Sequence, residues 1–182
     1  REVYRILRDL TKQLSVYASL LKEYHVIAGE YDFVRGKAKL AMDIGGNYPV
    51  VQDKAHVQLI QAYHPLLYLY NQRSGKPVIP VSVTLDEKSR ILVISGPNAG
   101  GKTVTLKTVG LLQMMLQSGL LVPVNPDSQM GIFKQLMIHI GDTQSLEFEL
   151  STYSSHLIHM KHFMDNANGK TLFFIDELGS GS

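Results

Sequence analysis

Apolar residues form a stripe along the start of the chain. Val3, Leu7, Leu10, Leu14, Tyr17, Leu21, Tyr24, Ala28 and Tyr31 recur at alternating spacings of four and three, the seam of a long amphipathic helix. Arg35 interrupts the seam, Ala38 and Met42 resume it, and Gly29 and Gly36 weaken the helix locally. Such a helix either packs along its own domain or forms an arm reaching a distant site. The stretch "DIGGNYP" (43–49) ends it, because paired glycines and a proline are helix breakers. Beyond this point short β-like runs alternate with helical ones. "HVQLIQAYHPLLYLY" (56–70) and "PVIPVSVTL" (77–85) read as antiparallel or edge strands, their prolines arguing against central places. "RILVIS" (90–95) is almost wholly apolar, as a strand buried on both faces would be. "KTVTLKTVGLLQMMLQS" (102–118) predicts a helix closed by Gly119, "IFKQLMIHI" (132–140) a strand, a further helix begins near Ser151, and "TLFFI" (171–175) is a buried strand. The alternation predicts an α/β domain with a mainly parallel central sheet over 46–182, preceded by a helical arm over 1–45.

Composition narrows the class. With 182 residues, 45% of them hydrophobic, the chain suffices for one ordinary domain and an appendage. Eighteen basic against sixteen acidic residues leave a formal charge of +2, too little to argue nucleic-acid binding from bulk electrostatics. The lack of cysteine excludes disulfides and thiolate metal sites and fits a reducing compartment. No apolar run approaches the roughly 18 residues of a membrane span, and the N-terminus is charged rather than signal-like, so a cytoplasmic protein is expected. The chain begins at Arg1 and stops at "DELGSGS" directly after a strong motif, which reads as a piece of something longer.

The strongest motif lies between the apolar run and the helix. Gly96, Gly101, Lys102 and Thr103 in "GPNAGGKT" fit G-x-x-x-x-G-K-[ST], a loop whose backbone N–H groups cradle a polyphosphate. The segment from Gly96 through Pro97, Asn98, Ala99, Gly100, Gly101, Lys102 and Thr103 to Val104 is the candidate nucleotide site. N–H groups from Asn98 onward would face the phosphates at the positive end of the helix. Lys102 would reach the β- and γ-phosphates, and the Thr103 hydroxyl would ligate Mg²⁺. A tight glycine turn alone does not explain why lysine and then threonine open the helix.

Further down, "TLFFIDELGSG" (171–181) delivers Asp176 and Glu177 at the carboxyl end of a buried strand, the edge at which open α/β sheets bind ligands. Asp176 is placed to hold Mg²⁺, directly or through water, and Glu177 to polarise an attacking water as general base. Both would otherwise be solvated residues at a strand exit. Between the motifs, Gln144 lies in a polar stretch after the strand at 132–140, and Ser151 and Thr152 open a helix they can cap. A capped helix N-terminus is also an anion site. His139, His156, His159 and His162 invite a metal reading, but no paired acid supports it.

These segments, "SGPNAGGKTVTLKTVGLLQMMLQSGLLVPV", "IGDTQSLEFELSTYSSHL" and "LFFIDELGSGS", resemble the ATPase domain of the MutS family. "VTLKTVGLL" and "STYSSH" favour the bacterial branch without mismatch recognition, MutS-two, which suppresses recombination and acts on collided ribosomes. The resemblance also takes in "YHPLL" (63–67) and implies a P-loop NTPase of the ABC type that hydrolyses ATP with Mg²⁺. It implies Gln144 as the loop glutamine that senses magnesium and water, and Ser151 as a signature serine that completes the site of a second subunit in a homodimeric nucleotide sandwich. Thr103 and Asp176 would be the metal residues and Glu177 the base. DNA or the ribosome would be met by regions outside this chain, including a downstream nuclease module. Where the family continues with a "GTDP"-like stretch, this chain has "GSGS". Relatives place an aromatic ring over adenine near "KPVIP", where this chain offers Val78 and Ile79; Tyr63 and His64 either shape that region or pack. The alternative to a hydrolysing motor is a nucleotide-gated dimerisation or binding module with little hydrolysis.

Overall fold

The structure, a computed structural model, describes residues 1–97, 100–140 and 149–176, with the side chains of 149–156 outside the description. Two compact units are present, Arg1–Leu40 and Ala41–Ser182. The first is helical. The single helix expected from the seam is two, α1 (Glu2–Ser15) and α2 (Ala18–Ile44), parted at Val16 and Tyr17. None of α1 is buried, and Leu7, Leu10, Leu14 and Leu21 of the seam are exposed. Gly29 and Gly36 do not break α2, which ends where the glycine pair begins, with Gly45 left-handed at φ 62°.

The second unit starts with the buried end of α2, Ala41 and Ile44. Its four-stranded sheet comprises β1 (Val50–Gln52), β2 (Val57–Ala62), β3 (Val81–Leu85) and β4 (Gln129–Gly131), in the order β1-β4-β2-β3. The sheet is mixed: β1 and β4 are parallel, while β2 runs antiparallel to both β4 and β3. β3 takes the edge, as Pro77 and Pro80 ahead of it require. The strand expected over 56–70 stops at Ala62. Pro65 then sits in the first turn of α3 (Pro65–Ser74), where its missing N–H costs nothing, and Gly75 closes the helix in the left-handed region. Alternation also fails in "PLLYLY", which removes the case for a strand there.

A second sheet pairs β5 (Gln135–His139) with β6 (Thr171–Ile175) in parallel, Gln135 opposite Thr171 and His139 opposite Ile175. A parallel pair needs a crossover, and α5 (Glu149–Asn166) supplies it. Successive side chains of β6 point to opposite faces. Phe174 meets Gly110 of α4 (Lys102–Gln117), while Phe173 packs its ring 5.5 Å from that of Phe163 in α5. Helices therefore cover both faces, and the core runs through Val109, Leu112 and Leu116 of α4 to Leu172 and Phe174. Lys170, at the head of β6, bridges to Asp53 after β1 at 2.5 Å and so ties the two sheets together.

The strand expected at 90–95 is absent: Ile91 is 85% and Val93 80% exposed. An apolar run asks for burial, but a strand exists only where a neighbour takes its backbone groups. Among the described residues β5 and β6 pair only with each other.

Candidate functional site

The glycine-rich loop leads into α4 as expected of a phosphate loop, although no strand precedes it. Gly101 is the N-cap at φ 79°, ψ 13°, a left-handed conformation that glycine adopts at little cost. Gly101 has no side chain with which to cap this helix end, which is the positive terminus of α4. Upstream, the Gly100 N–H donates to Pro97 O at 2.9 Å. Lys102 is half-buried, and its Nζ donates back to the carbonyls of Gly96 at 2.8 Å and Pro97 at 3.1 Å. The ammonium thus lies over the loop.

At the opposite wall, β6 ends in Asp176, whose N–H continues the ladder by donating to His139 O at 2.9 Å. The Thr103 hydroxyl donates to Asp176 Oδ2 at 2.7 Å, joining residues 73 positions apart. The two sequence motifs thereby become one half-buried site, with a hydroxyl and a carboxylate oxygen side by side. Val104 is exposed. Asn98, Ala99, Gln144 and Glu177 lie outside the described residues. Ser151 falls in the first turn of α5, three positions into the helix, with its side chain outside the description.

The candidate base-binding residues are dispersed. Ile79 is 87% exposed, whereas Tyr63 stacks edge-on with Tyr68 at 5.5 Å and lines a cleft of about 200 Å³ with Asn47, Pro123 and Asn125. His64 begins α3 and faces Lys107 of α4; burial first, and then that ammonium, hold its pKa below the usual 6.5. His139 and His159 lie ring to ring at 5.1 Å, and among the described residues no group of histidines and carboxylates could hold a metal ion.

Two polar residues of α4 were not singled out by motif. Gln113 and Gln117 stand four apart within an apolar stretch, and their carboxamides bond to the main chain at Gly131 and Phe133. Their signal in the sequence is the polar pair itself within the apolar second half of the helix, Gln113 buried and Gln117 exposed at its last turn.

Residues 92–182 match the family described as MutS domain V. The protein named Endonuclease MutS2 of Carboxydothermus hydrogenoformans is 38% identical over 180 residues, 99% of this chain and 22% of its own length. The proteins of the same name in Clostridium kluyveri and in Geobacillus sp. strain WCH70 are 39% and 40% identical over 181 and 182 residues, each alignment covering 100% of this chain and 22% of the relative. The chain thus spans about a fifth of the length of these relatives. A domain match over half of the chain, together with alignments at this identity that run along the whole of it, shows that the chain belongs to the MutS family, on its MutS2 branch.

Proposed function

We propose that this chain is the ATP-binding and ATP-hydrolysing part of a longer MutS2-type protein, built on a P-loop fold of the ABC type. The observation that carries this reading is the 2.7 Å contact between Thr103 Oγ1 and Asp176 Oδ2, which brings the end of the glycine loop to the acidic strand end. Two neighbouring ligands of an octahedral Mg²⁺ at 2.0–2.1 Å lie about 2.9 Å apart, so this oxygen pair fits one edge of a magnesium site. Thr103 and Asp176 would hold the ion, which when bound neutralises charge on the phosphate oxygens.

The chain's own groups do the rest. The N-terminus of α4, whose N-cap is the side-chain-free Gly101, offers its N–H groups to an anion. Lys102 exchanges the Gly96 and Pro97 carbonyls for phosphate oxygens, a charge-assisted and stronger pairing. Glu177 takes a proton from the attacking water, Gln144 orients that water, and Ser151 of a partner subunit closes the site in a homodimer. The relatives' name, endonuclease, favours DNA as the target of the longer protein, with stalled ribosomes as the alternative; either would be met by parts beyond this chain. The test is Lys102→Ala in the full-length protein. ATP binding should fall below detection by calorimetry, and unchanged affinity would remove the phosphate-loop assignment.

A further inference from the structure

α4 is fastened at both ends, and the fastenings close a frame. At its first turn Thr103 holds Asp176, and the Asp176 N–H holds His139 at the end of β5. At its last turn Gln117 treats Phe133 as a neighbouring strand residue would. Its Oε1 accepts the Phe133 N–H at 2.9 Å and its Nε2 donates to the Phe133 carbonyl at 3.1 Å. Gln113, fully buried, donates from Nε2 to Gly131 O and to Gln117 Oε1, both at 2.8 Å. The two long sides match. From Thr103 to Gln117 the helix climbs about 21 Å at 1.5 Å per residue, and an extended chain from Phe133 to His139 covers about 20 Å.

Apolar contacts fill the space between, through Val109, Leu112 and Leu116. Such contacts are non-directional and permit small slips along the helix axis. A carboxamide paired to both main-chain groups of one residue resists them. Gln113 also carries a cost that an apolar residue would avoid, because its buried Oε1 has no hydrogen-bond partner among the described residues. The arrangement keeps direction at the expense of stability.

We propose that Gln117, backed by Gln113, is a positioning residue for the metal edge formed by Thr103 and Asp176. It sets the height of α4 against β5, and so the spacing of the two oxygens at the far end. This rests on the nucleotide reading above. In full-length protein, Gln117→Met removes the clamp while keeping volume. The Mg²⁺ concentration for half-maximal ATP turnover, and the Mg²⁺-dependent tightening of ADP binding by calorimetry, should both move about tenfold, with Mg²⁺-free ADP affinity held within about twofold. Gln52→Met serves as the control: it breaks a comparable 2.7 Å bond between Gln52 and Gln129 in the other sheet. It should lower the melting temperature and leave the Mg²⁺ requirement unchanged. An unaltered Mg²⁺ requirement in folded Gln117→Met overturns the proposal, as does an equal shift in Gln52→Met. If Gln117→Met does not fold, Gln113→Met, which keeps the Phe133 pair, should shift the requirement less but in the same direction; no shift there overturns the proposal too. Wild-type protein that fails to bind nucleotide would overturn the parent reading and this proposal with it, whereas normal binding with unmoved Mg²⁺ dependence in the variants overturns this proposal alone.

Discussion

Gly110 and Gly131 should respond to the same substitution with opposite signs. Gly110 is buried in the middle of α4, and a Cβ built there lies 3.6–3.7 Å from the ring carbons of Phe174, ordinary van der Waals contact. Alanine at this place gains helix propensity of about 0.8–1 kcal/mol and adds a methyl contact to an aromatic face. Against this, the ring must keep its present rotamer, so we expect a net gain of about 1 kcal/mol, or about 3–5 °C in melting temperature for a unit of this size. A larger side chain reverses the sign: Gly110→Leu would drive into Phe174 and cost about 1–3 kcal/mol by overpacking. At Gly131 the added carbon would overlap the carbonyl oxygen of Lys54 and come within 2.8 and 2.9 Å of His56 N and O. These are main-chain atoms and cannot turn aside, so Gly131→Ala should cost more than about 2 kcal/mol. Urea titrations followed by far-ultraviolet circular dichroism at constant m-value measure both. A lower midpoint for Gly110→Ala, or an unchanged one for Gly131→Ala, would refute the packing of α4 on β6 or of β4 beside the 54–56 turn.

Two further predictions concern chemistry and pH. Glu177→Gln keeps shape but removes the basic carboxylate, so ATP should still bind while hydrolysis in the full-length protein drops about 100-fold or more; surviving turnover would favour a nucleotide-gated module over a hydrolysing one. The lowered pKa of His64 means that the folded state prefers the neutral ring. Its contribution to stability is therefore complete above 6.5 and is lost as the pH falls from there through the folded value. The urea midpoint should decline across that range more steeply in wild-type protein than in His64→Gln, and parallel pH profiles would show that the ring is not desolvated beside Lys107.

How far the molecule is legible from its residues depends on whether the information is local. The end of α2 at the glycine pair, the opening of α4 at Lys102 and the strand at 171–175 are all set by neighbours in sequence, through caps, breakers and period. The stretch at 65–70 misleads because its apolar content suits either state, and Pro65, taken as the mark of an edge strand, is equally a helix starter. The run at 90–95 misleads for a different reason: its composition specifies that it be covered without specifying by which edge, and strand formation depends on that edge.

The same division runs through the site. Lys102, Thr103 and Asp176 each announce themselves by motif, yet no motif states that a hydroxyl and a carboxylate separated by 73 positions should stand 2.7 Å apart. That spacing depends on residues whose types look unremarkable in a row of letters. Gly110 lets α4 lie close on Phe174, and Gln113 and Gln117 hold its far end to Gly131 and Phe133. A glutamine pair on an apolar helix reads as a weakening of the stripe until the chain entering β5 is laid beside it. It then ties the far end of α4 to the main chain at Gly131 and Phe133, and in the proposed nucleotide site it is what would keep the Thr103 and Asp176 oxygens at a set separation.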